Sequence, residues 1–127
     1  MKQIIDTKKA PAAIGPYSQA VVYNDIIYTS GQIAINPETG KLLEGAFSDR
    51  VKQVFSNLSA ILDASGSRFE NVLKVTIYLT DLSKFQILNE IYAKYFVINP
   101  PARATVQVAA LPLGTDVEID MIAFKGH

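Results

Sequence analysis

Apolar side chains recur at three- and four-residue steps in two stretches of the chain, and in short or alternating runs between turn residues elsewhere. The first stretch runs from about Ala46 to Ser65. Phe47, Val51, Val54, Phe55, Leu58, Ile61 and Leu62 fall on one helical face there. Gly66 suits the position just past a helix C-terminus. A second helix is expected to begin near Asp81 or Ser83, both good caps, with Phe85, Leu88, Ile91, Tyr92 and Tyr95 as its apolar stripe. Asn99-Pro100-Pro101 stops it, because proline cannot continue the hydrogen-bond ladder and disfavours helix in the residue before it.

The remaining runs read as strands. "KQIID" is short and apolar, and "KKAPAAIGPYSQ" follows as a loop punctuated by Pro11, Gly15 and Pro16. "AVVY" and "IIYTSGQI" flank Asn24-Asp25, a pair suited to a two-residue hairpin turn. "NPETGK" is a second turn. In "NVLKVTIYL" the alternation points Leu73, Val75, Ile77 and Leu79 one way and Lys74, Thr76 and Tyr78 the other. "ARATVQV" and "DVEIDMIAF" flank the loop "AALPLGT" and predict an antiparallel hairpin.

The resulting order is βββαβαββ, an α+β class. Each helix has a single apolar stripe, so the economical architecture is one mixed β-sheet with two helices on one face. Alternation then places Arg103, Thr105 and Gln107, with Asp116, Glu118 and Asp120, on the helix-free face, which turns apolar at Ile122 and Phe124. A face that is half polar and half apolar is expected to meet another subunit, so a homo-oligomer joined through these sheets follows.

Composition narrows the chemistry. The chain has 127 residues, a length for one domain over 1–127 and enough to bury a real core. It has no cysteine, which removes disulfides, thiolate nucleophiles and thiolate metal sites. The one histidine, His127, is the last residue, a poor place for a catalytic imidazole. Twelve basic and twelve acidic side chains give a net charge of zero, against the basic surplus expected of a nucleic-acid binder. The start, "MKQIIDTKKAP", has no apolar core of a signal peptide, and no run approaches the roughly 20 apolar residues of a membrane span. A soluble cytoplasmic protein is the expectation.

The candidate chemistry therefore rests on an arginine, carboxylates, hydroxyls and backbone groups. Arg103 follows two prolines at the mouth of an apolar strand. Its planar guanidinium can grip a carboxylate with two parallel hydrogen bonds, or make an ordinary salt bridge to Glu118 or Asp120. Glu118, between Val117 and Ile119, reads either as a solvated strand residue or as a base that positions water. Tyr17 in "AIGPYSQA" could donate a hydrogen bond or simply pack over the core edge. Ser30 and Gly31 end a strand, where glycine either admits a close ligand or marks a bulge. Asn89 lies off the second helix's apolar stripe. No phosphate loop, GxGxxG motif or Ser-His-Asp set is present.

"GPYSQA", "SGQI", "NEIY" and "PPARATVQVAALPLGTDVEI", in this order, resemble the Rid (reactive intermediate deaminase, YjgF) family across essentially the whole chain. The resemblance implies a chorismate-mutase-like fold, a homotrimer with sites between subunits, and hydrolysis of 2-imino acids such as 2-iminopropanoate and 2-iminobutanoate to 2-keto acids and ammonia. Positioning and a modest general base could accelerate that hydrolysis with no cofactor and no metal. By motif position Arg103 would bind the substrate carboxylate and Glu118 would orient the water, with Tyr17, Ser30, Gly31, Asn89 and Thr105 lining the cleft. Thr105 stands where many deaminase members carry cysteine, which leaves substrate preference open more than reaction type. Two other readings compete: a small-carboxylate sensor without turnover, and an RNA-acting member of the same family, against which the neutral charge argues.

Overall fold

A computed structural model of the chain describes residues 1–126; His127 lies outside the described residues. In chain order the elements are β1 (Gln3–Ile5), β2 (Ala20–Tyr23), β3 (Ile26–Thr29), β4 (Ile35–Asn36), β5 (Lys41–Leu42), α1 (Phe47–Ala64), β6 (Val72–Leu79), α2 (Phe85–Tyr95), β7 (Ala102–Gln107) and β8 (Val117–Phe124). Six strands form one mixed sheet in the order β1-β2-β3-β8-β6-β7. The turn around Gly40 closes a separate two-stranded ribbon of β4 and β5, too short to show in the hydrophobic pattern. The fold is α+β and chorismate-mutase-like.

Local chemistry accounts for the boundaries. Asn24 and Asp25 both take positive φ, 51° and 63°, which is what the tight β2–β3 turn requires. Gly66, with φ 78°, follows the Ser65 that caps α1. The second helix starts later than its caps imply. Asp81 accepts from the Ser83 N–H at 2.9 Å and holds a short 3₁₀ turn, Leu82–Lys84, that leads into α2. The helix also stops at Tyr95, before Asn99 and the prolines.

The core fills the space between the sheet and the two helices. Val51, Val54, Phe55, Leu58, Ile61 and Leu62 of α1 are fully excluded from water, and each contributes roughly 1.5–3 kcal/mol through burial. They pack with Val75, Ile77 and Leu79 of β6, Ile119 and Met121 of β8, and Leu88 of α2. Phe55 stacks on Tyr95 with ring centroids 4.4 Å apart, tying the two helices together.

The structure corrects the expected β7–β8 hairpin. β6 lies between them: β7 pairs with β6 in parallel, and β8 pairs with β6 antiparallel on its other side. The physical reason is burial. β6 has an unbroken apolar face and takes the position with two neighbours, while β7, with no buried residue, takes the edge. The β6–α2–β7 segment is thus a crossover unit, the connection that parallel neighbours require. A second correction concerns Leu73. The β6–β8 register shifts between Val72 and Lys74, so Val72 is buried and Leu73 is exposed.

Candidate active site

Two groups of candidate residues form, on opposite faces of the sheet. The first is built by β7 and α2. Arg103 pairs in register with Val75, and Thr105 with Ile77, both core residues, so the two face the helices. This overturns the expectation that Arg103, Thr105 and Gln107 share the helix-free face. The parallel pairing to β6, which the hairpin reading missed, sets their direction. Arg103 Nη1 donates to Asn89 Oδ1 at 2.8 Å, and its Cζ lies 4.7 Å from the Tyr92 ring centroid and 5.3 Å from that of Phe85. Among the described residues no acid pairs with it. The Thr105 hydroxyl is buried without a hydrogen-bond partner among the described residues.

The second group surrounds Glu118. From Tyr28–Ile122 to the bridge Gln32–Ile119, the β3 side advances four residues and the β8 side three. One extra residue is a β-bulge, a feature common beside active sites. Thr29 Oγ1 accepts from the Met121 N–H at 2.9 Å and satisfies the donor that the bulge displaces. Gly31 sits in the bulge beneath Glu118. A methyl group on Gly31 would lie 2.8 Å from the Glu118 Cδ, so the missing side chain makes room for the carboxylate. Tyr17, Gly31 and Glu118 line one cleft of about 320 Å³ with Ile14, Ile33 and Leu113.

Ser30 turns away from that cleft. Its hydroxyl donates to the Ser18 carbonyl at 2.5 Å, and it lines a neighbouring depression with Tyr17 and Tyr28. Its visible role is to tie the Tyr17 loop to the end of β3.

The charges on the helix-free face are perturbed. Burial pushes the Glu118 carboxyl above the ordinary carboxylate range, and the charge of Asp120 pushes it further. Burial also raises Asp120, opposed by a hydrogen bond from the Tyr78 hydroxyl at 3.1 Å and by the charge of Lys74. Asp116 does not belong to this face, contrary to expectation. It accepts two hydrogen bonds from Arg50 of α1, at 2.8 and 2.7 Å, and lies 3.4 Å from Lys84. The Arg50 guanidinium holds its carboxyl below the usual range. The strand begins at Val117, so the alternation that sets the face of Glu118 does not reach back to Asp116.

Two amides that shape the cleft escaped the sequence reading. Buried Gln19 accepts from the Thr7 N–H at 2.7 Å and donates to the carbonyls of Thr7 and Pro11 at 3.0 and 2.9 Å. Buried Asn57 donates to the carbonyls of Ile33 and Ile35 at 3.2 and 2.9 Å. Both satisfy loop backbone that would otherwise be unpaired. Gln19 lies within "GPYSQA", the one signal that could have flagged it; Asn57, on a helical face otherwise apolar, is a polar intrusion that marks a tether.

The arrangement offers an unneutralised cation with free N–H donors on one face. On the other it offers a carboxylate of raised proton affinity in a small cleft. Together these groups can hold an anion and move a proton to or from water.

The chain is similar to known proteins over nearly its whole length. The family model described as endoribonuclease L-PSP matches residues 7–125. A human protein named 2-iminobutanoate/2-iminopropanoate deaminase is 48% identical over 126 residues, covering 99% of this chain and 92% of its own. The crystal structure of YyfA from Yersinia pestis, described as a member of the conserved Rid protein family, superposes with TM-score 0.94 at 47% identity, covering 98% of this chain and 99% of that one. That of E. coli TdcF with bound serine gives TM-score 0.92 at 38% identity, covering 98% and 99%. With the fold matched end to end and the family model spanning nearly every residue, the chain belongs to the endoribonuclease L-PSP family, also called YjgF or Rid.

Proposed function

We propose that the protein hydrolyses 2-imino acids, 2-iminobutanoate and 2-iminopropanoate among them, to 2-keto acids and ammonia, in sites shared between copies of the chain. The observation that carries this reading is Arg103, a guanidinium with no acid partner among the described residues, whose remaining donors fit a substrate carboxylate. The relatives named as 2-imino acid deaminases, and the relative with a bound amino acid, support a small α-substituted carboxylate as the ligand.

The chemistry asks little of the protein. A protonated imine is already electrophilic at C2. Arg103 holds the carboxylate, and Glu118 accepts a proton from the water as its oxygen bonds to C2. Glu118 then returns that proton to nitrogen, the C–N bond breaks to release ammonia, and Glu118 takes the hydroxyl proton as the carbonyl forms. Passing that proton to the ammonia gives the 2-keto acid and ammonium and restores the carboxylate. Burial suits Glu118 to this work, because a base whose proton affinity is raised toward the working pH is the more effective one. To Tyr17, which lines the cleft, we assign a hydrogen bond to a substrate oxygen.

Arg103 and Glu118 lie on opposite faces of one sheet, with β6 between their strands. They can serve one substrate only if a second copy brings its Glu118 cleft to the first copy's Arg103. The half-apolar helix-free face, with exposed Tyr28 and Phe124 and half-buried Ile122, is the surface we assign to that contact, and a homotrimer is the assembly we assign. The compartment we assign is the cytoplasm.

Imine decay tests the reading. 2-Iminobutanoate is generated in situ and the residual imine is trapped with semicarbazide. Wild type is expected to accelerate its loss, Arg103→Ala to lose binding and turnover, and Glu118→Gln to lose turnover while still binding 2-oxobutanoate. Decay at the uncatalysed rate with wild type, alongside carboxylate binding, would make the protein a sensor instead.

A further inference from the structure

Arg103 is held by a face of α2 on which every contact is neutral. Phe85, Asn89 and Tyr92 stand at positions i, i+4 and i+7, so they lie one above another along the helix. Asn89 accepts one guanidinium hydrogen bond at 2.8 Å, and the two rings lie beneath the guanidinium carbon at 5.3 and 4.7 Å. Both distances are within the roughly 6 Å over which a ring face attracts a cation. Tyr92 is buried, and its hydroxyl has no hydrogen-bond partner among the described residues, so the residue acts here through its ring. The Tyr92 ring is fixed in turn: it packs edge-on against Phe55 at 6.1 Å, and against Phe96 at 4.6 Å.

We propose that Phe85 and Tyr92 are positioning residues of the anion site: with Asn89 they form a neutral cradle that orders Arg103 while leaving its charge for the ligand. This rests on Arg103 being the carboxylate anchor. The physical logic is a choice between two ways of holding an arginine. A carboxylate would order it more strongly but would compete with the substrate for the same donors. Ring faces and an amide oxygen order it without cancelling its charge. Among the described residues no acid pairs with Arg103. Asp116 is committed to Arg50, and Glu118 and Asp120 face the other side of the sheet. A pre-ordered guanidinium also loses less side-chain entropy when the ligand binds.

The predicted signature is a loss of ligand affinity with the chemical step spared. Phe85→Leu keeps an apolar side chain at a half-buried position but removes the ring face. It is expected to weaken 2-oxobutanoate binding and raise the substrate KM by roughly three- to tenfold, with kcat within about twofold of wild type. Tyr92→Phe keeps the ring and should bind like wild type. Asn89→Asp, nearly the same shape, places a competing carboxylate on Arg103 and should weaken binding more than Asn89→Ala does. A second readout needs no ligand. In ¹⁵N-arginine spectra the guanidinium signals of Arg103, assigned by their absence in Arg103→Lys, should show slowed rotation in wild type and in Tyr92→Phe but fast rotation in Phe85→Leu. If Phe85→Leu folds with unchanged Arg103 dynamics and unchanged affinity, the cradle is wrong. If Arg103 dynamics change as expected but no carboxylate binds even wild type, the cradle stands and the carboxylate-anchor reading falls.

Discussion

Glu118 and Gly31 are a matched pair, and each explains the other. The glycine leaves the space that the carboxylate occupies, with a methyl group there only 2.8 Å from the Glu118 Cδ. Gly31→Ala is therefore expected to push the Glu118 side chain out of place and lower kcat by roughly 10–100-fold, a cost typical of misplacing a catalytic group by about an ångström. Steady-state imine hydrolysis beside an unchanged melting curve would check it. Glu118 is also expected to cost stability. Its folded-state proton affinity is raised, so below the ordinary glutamate range, about pH 4.3, both folded and unfolded states hold the proton and nothing is lost. As pH rises through the higher folded value, folding pays the desolvation of the charge. Glu118→Gln should thus melt above wild type at pH 7, by about 1–3 °C, and level with it at pH 3, while losing turnover. Arg103, Glu118 and Tyr17 stand out in the sequence as candidates because charged or aromatic residues in apolar strands and rigid loops contrast with their surroundings, whereas Asn89, merely a polar residue off a helical stripe, takes its place in the cleft only from the family resemblance. Gln19 and Asn57 do not stand out, because an amide that satisfies loop carbonyls obeys no periodicity.

At the scale of elements, period alone predicted what each segment is but not beside which neighbour it lies. Both helices follow from three- and four-residue steps, β6, β7 and β8 from alternation, and β1, β2 and β3 from short apolar runs beside turn residues. The parallel β6–β7 pair does not, because β7 and β8 alternate equally well whether they pair with each other or with β6. What decides is that β6 buries Val75, Ile77 and Leu79 completely and so claims the interior position. That arrangement depends on a clamp at the start of β8. Asp116 takes two hydrogen bonds from Arg50, which also donates to the Gly45 carbonyl at 2.6 Å, and so joins α1 to the β8 entry. Asp116→Asn is expected to destabilise the fold by about 1–3 kcal/mol at pH 7, the usual worth of hydrogen bonds to a charged group. The folded-state pKa of Asp116 is depressed, so this contribution is complete above the ordinary aspartate value of about 3.9 and is lost as pH falls through the lower folded value. The wild-type advantage over Asp116→Asn in urea denaturation should accordingly persist from pH 7 to about pH 5 and shrink in more acid solution.

At the scale of the whole molecule, the position of the two functional groups becomes a statement about assembly. Arg103 projects toward α2, and Glu118 projects from the other face of the sheet, with the buried strand β6 between their strands. No rotamer change brings them together within one chain. A catalytic unit that needs both must draw them from two copies, and this can be tested by mixing. Arg103→Ala and Glu118→Gln chains are each expected to be inactive alone. If they are unfolded together and refolded together, a site is intact when its arginine comes from a Glu118→Gln chain and its glutamate from an Arg103→Ala chain. Random assembly of equal amounts makes that so for about a quarter of sites in a ring whose interfaces are all alike. Recovery of about a quarter of wild-type activity, rising from nothing in either parent, is the expected result. Mixing the two variants without unfolding should recover activity only as fast as subunits exchange. If refolded mixtures stay as inactive as their parents while wild type regains full activity under the same protocol, Arg103 and Glu118 do not share a site, and the division of labour between the two faces must be redrawn.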